Sequence, residues 1–185
     1  NLVNYDFQSW SNEGTQTQQI IIPGSTTTYT ANFTARIGVA EITVALAGRA
    51  IGTPAMSLPV DVTLLRNGGT EQTVSGQLDT NGRINIAELT PGDYTIRVKV
   101  AGYLSETQRV TIPAGAASVS FGPLRAGDIN GDNRVTLSDF SLLARSFNTT
   151  SGQIEYNPAA DLNDDNRVDL VDFSLLASSF NQAGT

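Results

Sequence analysis

Between residues 37 and 124 apolar side chains return at every second position, in short runs separated by turn residues. Val60, Val62 and Leu64 alternate with Asp61 and Thr63 ahead of an Asn67-Gly68-Gly69 turn. Ile84 and Ile86 lie between turn sequences at 79–82 and 90–93, and Tyr94, Ile96, Val98 and Val100 alternate with Thr95, Arg97 and Lys99. Val110, Ile112, Val119 and Phe121 complete the series. Period two predicts strands with one buried face each, and turns at such regular intervals predict an antiparallel β-sandwich. The same alternation places Lys99, the only lysine, opposite the core-facing residues and therefore in solvent.

The first 36 residues predict three further strands, near 4–10, 18–22 and 27–36, the last with Tyr29, Ala31, Phe33 and Ala35 on one face. Three strands with so few large apolar residues hold too little core to stand alone. They are expected either to pack on the following sandwich or to add to a neighbouring molecule as donated strands.

After residue 126 the period changes. Phe140, Leu143, Ala144 and Phe147 fall at i, i+3, i+4 and i+7, as do Phe173, Leu176, Ala177 and Phe180, which predicts two amphipathic helices. The blocks that contain them are copies of each other: residues 128–148 and 161–181 are offset by 33 positions, with 16 of 21 residues identical. The fold class expected from the whole chain is mainly β, with a strand segment at 1–36 and a sandwich at 37–125, followed by a small α module at 126–185.

Charge follows the same division. Residues 1–125 carry nine acids and eight bases, whereas 126–185 carry nine acids and three bases, so six units of the chain's net −7 lie in the last 60 residues. Each copy opens with oxygen-bearing side chains at loop positions 1, 3, 5, 9 and 12. These are Asp128, Asn130, Asp132, Thr136 and Asp139 in loop 1 (residues 128–139), and Asp161, Asn163, Asp165, Asp169 and Asp172 in loop 2 (residues 161–172). Position 7, Arg134 and Arg167, supplies a backbone carbonyl, its side chain pointing outward. This is the spacing by which a 12-residue loop of the EF-hand kind wraps hard oxygens around calcium, so two Ca2+ ions are expected. Two ions would bring the module from −6 to about −2.

Both loops depart from the commonest pattern. Position 6 is Asn133 and Asn166 where glycine is usual, asparagine being the side chain most tolerant of positive φ. Position 12 is Asp, one methylene shorter than the usual Glu. Positions 9 and 12 can together cap the helix that follows. No helix is expected to enter either loop, because Gly127 precedes the first and Asn157-Pro158 leads to the second.

These residues carry a family resemblance. The paired GDINGDNRVTLSDFSLLARSF and ADLNDDNRVDLVDFSLLASSF resemble the calcium-binding segments of a bacterial dockerin module. The resemblance implies a two-calcium unit that docks onto a cohesin-type receptor. In the best-known dockerins a Ser-Thr pair at loop positions 10 and 11 contributes to docking; here those positions are Leu137-Ser138 and Leu170-Val171. Upstream, GQLDTNGRINIAELTPGDYTIRVKVAGYLSETQRVTI resembles the carboxypeptidase-regulatory-like or transthyretin-like Ig-type modules of secreted bacterial proteins, which implies a spacer. YDFQSW and TTTYTANFTA resemble the last strands of bacterial surface Ig-like repeats.

Function classes narrow accordingly. The chain contains no Cys and no His, which removes disulfides, thiolate nucleophiles and Ser-His-Asp or Cys-His constellations. The acids of the β part stand singly at turns or on polar strand faces, so no catalytic residue is expected. The acidic balance argues against a nucleic-acid partner, and no apolar run approaches the roughly 18–20 residues of a membrane span. Asn1 in place of Met points to a processed or excised chain. Only six residues separate Phe121 from Asp128, and Pro123 is among them, which predicts a stiff junction with the α module packed on the sandwich.

The expectation is a secreted, non-catalytic protein in which a calcium-stabilised module beside a β spacer meets a protein partner. That partner is either a cohesin-like receptor or a neighbouring copy of this chain in a filament joined by donated strands. A further reading makes the chain the non-catalytic end of a polysaccharide-degrading enzyme. Gln16, Gln18 and Gln19 beside aromatic residues resemble a sugar-binding surface and add polysaccharide as a candidate partner.

Overall fold

The computed structural model describes residues 5–21, 23–66 and 71–185, so Asn4, Ile22 and the turn at 67–69 lie outside the described residues. The strands of the β part are β1 (Tyr5–Trp10), β2 (Ala31–Ala35), β3 (Gly38–Leu46), β4 (Pro59–Arg66), β5 (Glu71–Gln77), β6 (Arg83–Leu89), β7 (Gly92–Val100), β8 (Gly102–Tyr103), β9 (Glu106–Ile112) and β10 (Gly115–Leu124). The chain continues through β11 (Ala126–Asp128), helix α1 (Leu137–Arg145), the two-residue strands β12 (Thr149–Thr150) and β13 (Arg167–Val168), and helix α2 (Leu170–Ser178).

Two sheets, ordered β10-β3-β6 and β5-β4-β7-β9, contribute to one core. The alternation read from the sequence is the alternation of burial. Val60, Val62 and Leu64 of β4 and Tyr94, Ile96, Val98 and Val100 of β7 are buried, together with Ile42 and Val44 of β3, Ile112 of β9 and Phe121 of β10.

One pairing departs from the all-antiparallel expectation: β10 runs parallel to β3, from Gly115 beside Gly38 to Leu124 beside Leu46. A parallel pair needs a long crossover. Here the crossover is everything from β4 to β9, so no local pattern specifies its direction.

The opening segment also departs from expectation. β1 and β2 form an antiparallel ribbon with Phe7 opposite Phe33, their rings 5.8 Å apart, and an Arg36–Asp6 ion pair at 2.6 Å. No strand forms over residues 18–21. Ile20 and Ile21 are exposed there, with no sheet beside them to bury one face or pair the backbone. Tyr5 and Phe33 remain more than half exposed, so the sandwich does not cover them.

The α module is packed on the β part, as the short junction predicts. β11 pairs with β8, Ala126 opposite Tyr103, and the Leu104 amide donates to the Arg125 carbonyl at 2.8 Å. Two glycines allow the approach. At Gly48 (φ 85°) a Cβ would meet the Leu175 side chain of α2 at 2.5 Å, and at Gly127 (φ 123°) it would press on Val135 and the α2 backbone. Leu143, Leu162, Val168 and Leu176 continue the core of the β part into the module.

Within the module the two copies are cross-paired. Val135 of loop 1 exchanges backbone bonds with the segment after α2, accepting from Asn181 at 2.8 Å and donating to Gln182 at 2.9 Å. Val168 of loop 2 accepts from Asn148, just after α1, at 2.8 Å, and β12 pairs with β13. Asn148 and Asn181, 33 residues apart, both adopt positive φ as the chain leaves its helix. No helix enters either loop among the described residues.

Candidate metal centres and docking face

Each loop is curled by its own side chains. Asn130 Oδ1 accepts from the Asp132 amide at 3.0 Å and Asp132 Oδ1 from the Arg134 amide at 2.9 Å; Asn163 and Asp165 repeat this in loop 2 at 3.2 and 3.0 Å. These Asx turns compete with helix and hold the oxygens on the inside of the curve. At position 6, Asn133 and Asn166 take φ of 66° and 69°, the left-handed geometry expected there. The Arg167 side chain projects outward, 62% exposed.

Position 12 closes each loop. Asp139 accepts from the Asn130 and Thr136 amides at 3.1 and 2.9 Å, and Asp172 from the Leu162 and Asp169 amides, both at 2.8 Å. Thr136 Oγ1 and Asp169 Oδ1 in turn accept from the Ser138 and Val171 amides, so capping boxes open both helices. Position 12 therefore joins the loop interior to the first turn of its helix, where a carboxylate also meets the positive end of the helix dipole.

The electrostatics of these loops call for a cation. Among the described residues the buried carboxylates are Asp128, Asp139, Asp161 and Asp172, positions 1 and 12 of both loops. Asp128 is fully buried, yet its Oδ1 has no hydrogen-bond partner. Burial also pushes the Asp172 carboxyl above its ordinary value, even though three backbone amides hold it down. No group of three or more acidic side chains among the described residues is arranged to hold an ion by itself. An ion here would rely on Asn, Thr and backbone oxygens as well, which is the hard-oxygen donor set that suits calcium.

How the β part meets these loops was not legible in the residue pattern. Lys99 does not point into solvent: its ammonium bonds Asp128 Oδ2 and the Tyr103 carbonyl, and its side chain is 24% exposed. Alternation placed it correctly on the outer face of β7, but that face is covered by loop 1. Asn133 has a second use, with Oδ1 accepting from the Ser105 amide and Nδ2 donating to Ser105 Oγ, both at 2.9 Å. On loop 2, Arg49 Nε donates to the Leu162 carbonyl at 3.1 Å and Nη2 to the Asp161 carbonyl at 3.4 Å, while Nη1 lies 3.6 Å from Asp164. Tyr156 donates its hydroxyl to Asp161 Oδ2 at 2.7 Å, and burial together with that bond pushes its ionisation upward.

The helices leave one face bare. Leu137 and Leu170, at loop position 10, are 70% and 65% exposed, and Val171 is half exposed. Leu170 also lines an open apolar groove of about 380 Å3 together with Phe140, Leu143, Ala144, Phe147 and Phe173. The Phe140 and Phe173 rings meet edge to face with centroids 6.2 Å apart. Apolar periodicity marked these phenylalanines, but periodicity does not distinguish a core stripe from a docking stripe.

Residues 126–181 match the family described as the dockerin type I domain, a non-catalytic docking module whose members generally bind calcium. Among crystal structures, a C-terminal interface mutant of a type II cohesin–X-dockerin complex from Acetivibrio cellulolyticus contains a similar chain. It has a TM-score of 0.62 and 25% identity, over 80% of this chain and 97% of that one. An N-terminal interface mutant of the same kind of complex gives 0.61 at 24% identity over the same shares. No curated protein matches the chain. Together the domain match and the cohesin–dockerin neighbours support a protein–protein docking role.

Proposed function

We propose that this chain is a non-catalytic extracellular assembly protein that docks onto a cohesin-like receptor through the face shared by α1 and α2. Residues 126–185 form the docking unit and hold two Ca2+ ions. Loop 1 supplies Asp128, Asn130, Asp132, the Arg134 carbonyl, Thr136 and Asp139; loop 2 supplies Asp161, Asn163, Asp165, the Arg167 carbonyl, Asp169 and Asp172. Calcium would supply the positive charge that positions 1 and 12 surround, fixing the first turn of each helix and hence the spacing of the docking face. Residues 37–125 act as an Ig-like or transthyretin-like spacer, a reading supported by two sheets about one core, and residues 1–36 as an attached strand segment.

The observation that carries this reading is the bare apolar face. Leu137, Leu170 and Val171 stand exposed at the positions where the best-known dockerins place their docking pair, and Leu170 lines a groove that a partner side chain could fill. Aromatic and aliphatic anchors in such pockets dominate binding energy. The test is calorimetric titration against type I and type II cohesins, in calcium and in EGTA. Binding to at least one class in calcium is expected, with loss of roughly 100-fold or more on L137D/L170D, the size of a hot spot, and an unchanged melting temperature. Failure to bind any cohesin sinks the reading.

The exposed Tyr5 and Phe33 favour a second reading, a filament of this chain joined through the β1–β2 ribbon. Ordered fibres of the purified protein in electron micrographs, lost on deleting residues 1–36, would establish it.

A further inference from the structure

Position 1 is the same in the two loops, and its Oδ2 is held the same way apart from one donor. Asp128 Oδ2 accepts from the Asn133 amide at 3.0 Å, and Asp161 Oδ2 from the Asn166 amide at 2.9 Å. The remaining donor is the Lys99 ammonium in loop 1 and the neutral Tyr156 hydroxyl in loop 2. Asp61, across the strand from Lys99, does not bond the ammonium; it accepts from Ser75 Oγ at 2.6 Å. The positive charge of Lys99 is therefore directed at Asp128.

We propose that Lys99 makes the two calcium loops unequal, lowering the cation affinity of loop 1 so that loop 2 fills first. The inference rests on the calcium reading above and concerns the order of filling within it. Loop 1 has three acids against Arg134 and Lys99, a local charge of −1; loop 2 has five acids (Asp161, Asp164, Asp165, Asp169, Asp172) against Arg167 and Arg49, a local charge of −3. Arg49 does not mirror Lys99, because it bonds backbone carbonyls and lies beside Asp164 at position 4, outside the ligand positions.

The orphan Oδ1 of Asp128 is the oxygen open to a cation, while Lys99 keeps Oδ2. A divalent ion in loop 1 would lie within one carboxylate's width of a largely buried positive charge bonded to a fully buried ligand. In loop 2 the cation beside a ligand carboxylate is the exposed Arg167, 3.9 Å from Asp169 Oδ2, where solvent screens it. At the effective dielectric of a protein surface such a charge weakens binding by about ten-fold or more. Lys99 also belongs to β7, so the weaker site is the one whose position 1 carboxylate is bonded by a sandwich strand, whereas Arg49 and Tyr103 reach backbone carbonyls of loop 2. At intermediate calcium the protein would carry a single ion, with loop 1 still held by Lys99 and Ser105.

The test is a calcium titration of the full chain followed by amide NMR, with Gly131 reporting loop 1 and Asn166 loop 2. In the wild type the Gly131 midpoint should lie at calcium about ten-fold or more above the Asn166 midpoint. In K99M the Gly131 midpoint should fall by roughly ten-fold, with Asn166 moving less than about two-fold. Loss of a merely structural contact would weaken loop 1 instead. Coincident midpoints in the wild type, loop 1 filling first, or a Gly131 midpoint that stays or rises in K99M each overturn the inference. The wild-type order of filling decides the matter even where K99M does not fold. Absence of any shift at both reporters would remove the calcium reading itself, and this inference with it.

Discussion

The sandwich and the α module pack against each other, yet they are held together by opposite means. Among the described residues, the sandwich buries apolar side chains almost exclusively, its buried polar residues being Thr63 and Ser105. The module buries four carboxylates, and they are the end positions of its two loops. A core of Val, Ile and Leu is stable under any mild solution condition. A module that buries four aspartates beside its apolar core is stable only while something positive or hydrogen-bonding faces them. One chain thus joins a part indifferent to ions to a part that answers to them.

Chelation should separate the two most strongly. With calcium about 1,000-fold above the dissociation constant, each ion of the proposed pair would stabilise the folded module by about 4 kcal/mol. EGTA should therefore melt residues 126–185 while the sandwich strands keep their hydrogen-exchange protection; equal protection with and without calcium would erase the distinction. Ile96→Ala is the converse experiment. Ile96 is fully buried in β7, and truncation should cost about 2–5 kcal/mol, by the same amount in calcium and in EGTA.

Arg49→Met removes a buried polar contact between the parts. Its side chain is only 7% exposed and serves three carbonyls, those of Ala55, Asp161 and Leu162. The Leu162 carbonyl keeps the Tyr103 hydroxyl at 3.1 Å, so the Ala55 and Asp161 carbonyls are the ones that lose their donor. That should cost about 1–3 kcal/mol, and calorimetry should then resolve two transitions where the parent shows one. The smallest effect belongs to the ribbon. Arg36 holds the Asp6 carboxyl below its ordinary value of 3.8. A depressed folded-state value means stability that is present above the unfolded value and lost as pH falls through the lower folded one. Asp6 and Arg36 are both solvent-exposed, so acid should loosen β1 from β2 in NMR spectra without changing the melting of the rest.

Legibility in the sequence followed range. Residues that act within one loop and its helix were readable: the capping boxes of Thr136 with Asp139 and Asp169 with Asp172, and the positive φ of Asn133 and Asn166, are as the spacing predicts. The strands of the sandwich were readable too, because alternation reports one-sided burial. What the pattern could not carry was anything set by a distant partner. The parallel run of β10 beside β3 is decided by some 70 intervening residues. Lys99 shows the same limit in one side chain, since period two assigned its face and said nothing of what covers that face. Arg49 carries no sequence signal at all: a basic residue after a turn glycine is commonplace. In the ribbon the pattern misled in the other direction, because Phe33 alternates like a core residue yet remains 57% exposed.

The crossed backbone pairing of the module has a consequence for its two copies. Val135 is tied to the exit of α2 and Val168 to the exit of α1, so neither copy contains the backbone partners of its own position 8. A lone copy could make this pairing only with an identical neighbour, as a twofold dimer in which each chain completes the other. Tandem copies supply that neighbour within one chain, so the two halves share a single fate: removing either one leaves Val135 or Val168 of the other without its backbone partners.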